Sequence, residues 1–528
     1  VKIIVTASDG RFSLSLSLDH KIVREGLYFS VSLRVQARIH CIMFKLNSVL
    51  NLLFGLLFLI LSSACQKEGS QAITLPKSLV LPTAIDDPNY GAESNPTGDV
   101  IGGGFCYSRI VDGEDYLVGT VEGFLSALEQ AQAGEIIRIE EDATIDLTGN
   151  INLQIPAGVT LAGNRGDCFT TGPLLINNDM TPGSVWFWVD KGVRITGLRF
   201  QGPDDLFKDI NYDLRPAKSS ICFAVGEADV EIDNCEIFKF SRGAIEIYPD
   251  GRNVYIHHNF LHDVHAYPVI TLNRSGLPVL IEANLIYWVW HATAGSGYPG
   301  TGYEARYNIM IRQAIPTSWL PYGGDHAVDM HPYLDVLVER GQRIAGDELT
   351  IHHNTFLNSA ENDPSVNNSP DAFVRGTPRT LAQFYNNRFL NASPEKAINH
   401  FDGNTWVYNN KYGPEETLVA IATETTPQII FHSPPPPNIT PSFINTTSFP
   451  VDISINTLNS LSIQSVTISL NNDVIYEGPN APAPNSLVID FCQLNNQVNY
   501  HKLLVTATDN RGITGQHMTI FSGTCGTN

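Results

Sequence analysis

A six-residue pattern recurs through the middle of this chain and constrains its fold more than any other feature. An apolar residue is followed by two variable positions, an asparagine, one variable position and a second apolar residue. The pattern occupies residues 256–261, 281–286, 305–310 and 351–356, around Asn259, Asn284, Asn308 and Asn354, and continues around Asn387 and Asn410. Successive asparagines are 25, 24, 46, 33 and 23 residues apart. One repeat is therefore a coil of 23–25 residues, with one coil unmarked or expanded between Asn308 and Asn354. Segments 195–200 and 232–237 keep the strand but lack the asparagine. Short alternating strands on such a period predict a parallel β-solenoid. Asparagines at one turn position of successive coils can bond up and down a ladder and tolerate the left-handed backbone of the turn. A helical solenoid would need a 3.6-residue apolar period, which is missing.

Composition agrees with a turn-rich β protein. Of 528 residues 42 are Gly and 31 Pro, with 43% hydrophobic and 16% charged, which excludes a disordered chain or a coiled coil. The net charge of −21 argues against a nucleic-acid partner, because phosphate binding needs a basic surface. An anionic substrate would need a local basic island.

The apolar run 49–61 after Met43 and Lys45, ending in Ser62, Ser63 and Ala64 before Cys65, has the pattern of an export signal too short to span a membrane. It resembles a bacterial lipoprotein box, which implies lipidation at Cys65 and a lipid-anchored location on the bacterial outer membrane or cell surface. Residues 1–42 are expected to be an upstream extension, 43–64 the signal, and 65–104 a tether. Removing residues 1–64 takes the net charge from −21 to −25. The solenoid is expected over 105–432, a Pro-rich linker over 433–438, and a sandwich of alternating strands over 439–528 that resembles an immunoglobulin-like domain. Six cysteines follow Cys65. Cys222 with Cys235 and Cys492 with Cys525 are candidate disulfides, although spacing leaves the connectivity open.

Residues 120–131 predict an amphipathic helix, with Phe124, Leu125 and Leu128 on one face, that covers the open solenoid end. Strands are expected at 134–139 and 155–161. This helix, with "AGEIIRI", "IPAGVTLAGNRG" and "VRITGLRFQG", resembles the pectate-lyase-like superfamily of right-handed parallel β-helices over about residues 115–415. The resemblance implies an all-β fold: a right-handed β-helix with an N-terminal capping helix, plus the C-terminal sandwich. It does not select among lyases, hydrolases, epimerases and tailspikes.

On a solenoid, outward residues of successive coils line up about 4.8 Å apart. Stacking segments 243–248, 269–273, 291–296, 326–331 and 372–377 puts Glu246, Thr271, Ala294, Asp329 and Arg375 in one outward column if Ile245, Ile270, Thr293, Val328 and Val374 point inward. Tyr248, Asn273, Ser296, His331 and Thr377 form the next. Functional residue types concentrate at 323–331, where Asp329, His326 and His331 offer a carboxylate and groups that exchange protons near neutral pH. Trp319 and Tyr322 suit a groove wall that stacks a sugar ring. "GTGYEARYN" and "HAVDMH" resemble segments of bacterial β-helix proteins in that superfamily, which marks Glu304, Arg306, His326, Asp329 and His331.

The expected catalytic set is Asp329, His331, His326, Arg375 and Glu304; the expected substrate-binding set is Glu246, Asn273, His291, Arg306, Trp319, Tyr322 and Arg379. The leading expectation is a polysaccharide lyase acting on a uronic-acid-containing extracellular glycan. Arg375 would neutralise the sugar carboxylate, His331 or His326 would take the C5 proton, and Asp329 would orient that base. The alternatives are a glycoside hydrolase pairing Asp329 with Glu304 or Asp325, and a non-catalytic glycan-binding or adhesive solenoid. No cofactor is fixed by the sequence. Calcium stays open, although the acidic cluster, vWiDH and RxPxxR motifs of pectate lyases proper are missing. The expected partner is an extracellular polysaccharide, with membrane contact only through the anchor and the protein acting as a monomer.

Overall fold

The computed structural model describes residues 2–8, 11–17, 89–168, 170–204, 220–272, 278–312, 326–333, 343–358, 370–401, 403–434, 442–444, 446–494 and 500–523. Segment 43–64, Cys65, Asn273, Trp319, Tyr322, Asp325 and Cys525 lie outside the described residues. Within 1–42, Lys2–Ser8 and Arg11–Ser17 form an antiparallel hairpin.

From Tyr116 onward the chain winds as a right-handed parallel β-helix, each full coil giving one strand to each of three stacks. The first stack includes Arg194–Thr196, Val230–Asp233, Val254–His257, Val279–Glu282, Gly302–Arg306 and Glu348–His352. The second includes Glu236–Phe240, Phe260–Val264 and Leu285–Val289. The third runs through Val185–Val189, Ile221–Val225, Gly243–Ile247, Tyr267–Thr271, Thr293–Gly295, Val328–Met330, Ala372–Val374 and Ile398–His400. Inward residues such as Ile195, Ile232, Phe223, Ile245, Ile281, Val328 and Ile351 form one continuous core along the axis.

The asparagine pattern marks the two-residue turn from first to second stack. Nδ2 of Asn259 donates to Oδ1 of Asn284 at 3.0 Å, and the same bond links Asn284 to Asn308, Asn308 to Asn354, Asn354 to Asn387 and Asn387 to Asn410 at 3.0–3.1 Å. Asn308 and Asn354 are thus on adjacent rungs, so the 46-residue interval is one expanded coil. The left-handed backbone belongs to the residue before each ladder asparagine, with φ of 50–56° at His258, Ala283, Tyr307, His353, Asn386 and Asn409. Cys235 occupies the ladder position in its coil, its backbone N–H donating to Asn259.

Thr120 caps helix Val121–Gln130 by accepting from the Gly123 N–H, and the helix buries Phe124, Ala127 and Leu128. Phe124 meets Phe187 edge-on at 6.2 Å. A strand expected at 155–161 is instead a corner: Leu153–Ile155 belongs to the third stack and Thr160–Ala162 to the first, with Pro156 and the left-handed Gly158 turning between them. Tyr116–Val118, which precedes the helix and pairs with Ile136–Ile139, lacked a visible strand signal.

Three expectations change. Residues 89–104 do not act as a spacer, because they run along the asparagine turns. Gly91 N–H bonds Asn386 O, Ala92 N–H bonds Thr355 Oγ1, and Gly102 N–H bonds Ala283 O. Cys222 and Cys235 are buried free thiols in the core, and the disulfide is Cys106–Cys168, which fastens that segment to the early coils. Cys492 is disulfide-bonded. The sandwich begins before the prolines, at Gln428–Ser433, which pairs with Asp452–Asn456. It meets the last coil directly: Ile429 N–H donates to Asn404 Oδ1 at 2.7 Å, and Arg511 to Ala422 O at 2.9 Å. Its five-stranded sheet and the facing short pairs bury Phe431, Phe449, Val451, Ile468, Val505 and Phe521.

Candidate active site

Turn length distinguishes the three corners of the coil. First-to-second turns are two residues in most coils, whereas the longest connections, 202–220, 313–327, 331–347 and 359–371, all enter or leave the third stack. Long loops on a rigid scaffold are where binding groups gather. The third stack also carries Asp329.

Its outward column reads Trp188, Ala224, Glu246, Ile270, Ala294, Asp329, Phe373, Asn399. Two residues expected in this column fall elsewhere. Val328 pairs with Ala372 rather than Val374, so Arg375 continues the neighbouring column, after Ser296 and His331. Thr271 points inward, aligned with Ile247, Gly295 and Met330, while Ile270 points outward. Arg375 nevertheless reaches Asp329 diagonally, with Nε 2.7 Å from Oδ1 and Nη2 2.6 Å from Oδ2. His331 Nε2 lies 2.9 Å, and His291 Nε2 3.6 Å, from Oδ2.

Asp329 is fully buried beneath His331 and Arg375, whose side chains are 31% and 29% exposed. Burial alone would raise the Asp329 pKa, but His331, His291 and Arg375 together hold it well below the carboxylate range. The bidentate Arg375 pair thus favours its carboxylate form. His331 Nε2 lies 2.9 Å from that anion but off the line of a hydrogen bond, and Nδ1 is the nitrogen left for proton transfer. The Nε and Nη2 edge of Arg375 is used by Asp329, and Nη1 has no hydrogen bond among the described residues. The preceding rung carries only Ala294 and Ser296, small side chains beside the Asp329–His331 pair. Gly297, with φ 75° in the left-handed region, lets the next turn approach, since a Cβ there would stand 1.9 Å from the His331 carbonyl.

Other expected site residues have different tasks. His291 is 1% exposed, its Nδ1 3.1 Å from His326 O, so it supports Asp329 rather than contacting a ligand. His326 is packed between the His291 ring and the edge of Phe373, which removes it as a base. Glu246 is fully buried, held by Arg242 Nε at 2.6 Å and by the Tyr248 hydroxyl at 3.2 Å. Arg379 pairs with Asp347 at 3.3 Å. Glu304 and Arg306 belong to the first stack, on a different sheet from Asp329, which removes Glu304 as its hydrolytic partner. There Arg306 bonds Glu282 and Glu304 at 2.5 and 2.9 Å, and His352 Nε2 lies 3.0 Å from Glu304. His352 stacks flat on Tyr385, and Tyr385 on Tyr408, so the ring faces are used between coils as a structural ladder.

For a metal, the one suitable group among the described residues is Glu231, Asp233 and His257. Arg109 lies 2.7 Å from Glu231 and Arg194 2.8 Å from Asp233. Two guanidiniums already neutralise these carboxylates, so the group does not fit calcium, which needs several open oxygen ligands.

Burial, with smaller contributions from neighbouring charges, depresses His258, His353 and His517 to about 4 and His291 to about 3. A neutral buried histidine that ionises at about 6.5 when unfolded stabilises the fold above that value and loses its contribution as pH falls toward 4. Glu231 and Glu236, held at about 2, lose theirs only at lower pH, and the raised His262 opposes the trend. The melting temperature should therefore drop already between about pH 6.5 and 5. A flat profile there in scanning calorimetry would show that these histidines are not buried neutral.

No family model and no curated protein sequence matches the chain. Among solved structures, an alginate lyase from Paenibacillus sp. aligns at 13% identity and a TM-score of 0.34, covering 56% of this chain and 94% of that one. A tailspike protein from Acinetobacter baumannii bacteriophage Fri1, described as a capsular polysaccharide depolymerase, aligns at 9% identity and a TM-score of 0.29, covering 79% of this chain and 83% of that one.

Proposed function

We propose that this protein is a polysaccharide lyase that cleaves a uronic-acid-containing glycan on the outward face of the third stack. The observation that carries the reading is the Asp329 carboxylate, buried and ionised, holding His331 and Arg375 side by side at the surface. Arg375 meets the sugar carboxylate through Nη1, which stabilises the charge that builds up as the C5 proton leaves. His331 takes that proton on Nδ1 while Asp329 stabilises the imidazolium. The C4–O bond then breaks, a C4–C5 double bond forms, and the proton passes to the departing oxygen. Anchored through Cys65, as the sequence predicts, the enzyme would work on polymer outside the cell.

The test is to incubate the protein with alginate, polygalacturonate and hyaluronan and to follow ultraviolet absorbance together with reducing ends. Elimination gives both signals in step. New reducing ends without absorbance would reject elimination, and neither signal on any polymer would favour a glycan-binding solenoid.

A further inference from the structure

N-terminal to Asp329, the same outward face carries a group of side chains that the chemistry above does not use. Trp188 lies in the Asp329 column, and Tyr248 begins the neighbouring column that continues through Leu272 and Ser296 to His331. Between their coils stands Ala224, small enough that the two rings meet across it, with centroids 5.5 Å apart at 52°. They rest on Val185, Ile221 and Ala224. Tyr248 is fixed by its hydroxyl bond to the buried Glu246, and Trp188 Nε1 donates to the exposed Asn152 at 3.3 Å. Both rings remain partly exposed.

We infer that Trp188 and Tyr248 form a distal subsite that stacks a sugar ring of the same glycan, making the enzyme select long chains. The inference rests on the lyase reading. Tyr248 is three rungs from His331 and Trp188 five from Asp329, about 14 and 24 Å at the strand spacing of a sheet. Sugars in an extended glycan repeat at close to the rung length. A chain lying along the column therefore reaches Tyr248 with about its fourth sugar and Trp188 with about its sixth, counted from the one at His331 or Asp329, and a trisaccharide reaches neither. Two fixed aromatic rings with polar edges suit the apolar face of a pyranose, and their firm seating removes most of the entropy cost of binding.

The test uses the full chain and two measurements. Trp188→Ala and Tyr248→Leu should each lower kcat/KM on the cleaved polymer about tenfold, a plausible loss for one stacked ring, and leave a trisaccharide of the same sugar unchanged. Tyr248→Phe, which keeps the ring but loses the hydroxyl bond to Glu246, should fall between the native protein and Tyr248→Leu. In gels cast with the same three polymers, the native protein should be retarded and the two ring-removing variants should not, whether or not cleavage occurs. Equal losses on trisaccharide and polymer, or native retardation in the variants, would overturn the subsite. Retardation that depends on Trp188 without any turnover would keep the subsite and reject the lyase.

Discussion

Replacing His331 with alanine should reduce turnover of the uronic polymer by about 10²- to 10⁴-fold, the usual contribution of a positioned general base. The fold should tolerate the change, because the His331 side chain is 31% exposed and its loss leaves Asp329 still bonded to Arg375. The melting temperature should stay within a few degrees of native and the gel retardation by polymer should persist. That combination separates a catalytic role from a structural one. Asp329→Asn is a poorer test, since removing one partner of a buried charged cluster costs about 3–5 kcal/mol and strands Arg375 and His331. If His331→Ala keeps more than a third of the native rate, the base is elsewhere and the proposed chemistry fails. If instead Arg375→Lys keeps full activity, the bidentate grip on Asp329 is not needed to hold the site, because lysine cannot reproduce it.

What the sequence made legible follows from what repeats. Asn259, Asn284 and their equivalents occupy one position of a fixed period, so the coil length and the parallel solenoid could be read without a structure. Helix Val121–Gln130 was legible from its apolar face and its Thr120 cap. Asp329 and His331 were legible together, since residue types that exchange protons seldom crowd into one solenoid segment, and Arg375 as a partner about one rung from Asp329. Their geometry was not. Strand alternation gives the facing of a residue within one coil, whereas alignment between coils depends on turn lengths, and choosing Val374 instead of Ala372 as the partner of Val328 shifted Arg375 by a column. Burial was equally invisible. His291, His326 and Glu246 have the composition of a site and the packing of a support, because the residues that cover them come from neighbouring coils. The candidate pair Cys222–Cys235 failed for the same reason. Cys222 and Cys235 are near in sequence but both point into the apolar core, while Cys106 and Cys168, 62 residues apart, meet where the N-terminal segment crosses the turns.

Replacing Asn308 with alanine should destabilise the protein by about 3 kcal/mol or more, because it orphans several buried groups that each cost about 1–3 kcal/mol. The Oδ1 of Asn308 accepts from both the backbone N–H and the Nδ2 of Asn284, and its own Nδ2 donates to Ile281 O, Arg306 O and Asn354. All these asparagines are fully buried, so water cannot replace the lost partners without opening the turn. The exposed Asn178, changed to alanine, should shift stability by no more than about 0.5 kcal/mol. Amide exchange gives a sharper readout: the Asn284 N–H should lose protection in Asn308→Ala, while the N–H of Asn387, which bonds Asn410, keeps it. The effect should also reach the proposed site. The Asn308–Asn354 bond joins the two ends of the expanded coil that carries Asp329 and His331. Without that side-chain bond, the register of this coil depends on the Asn308 backbone N–H, which still donates to Asn354 Oδ1 at 3.0 Å, and on its strand pairings, to which Val328–Met330 contributes only three residues. Turnover in Asn308→Ala should therefore fall at temperatures well below its own melting point. Equal activity of native and variant protein in that range would show that the strands and the remaining backbone bond are enough to hold the coil that carries Asp329 in place.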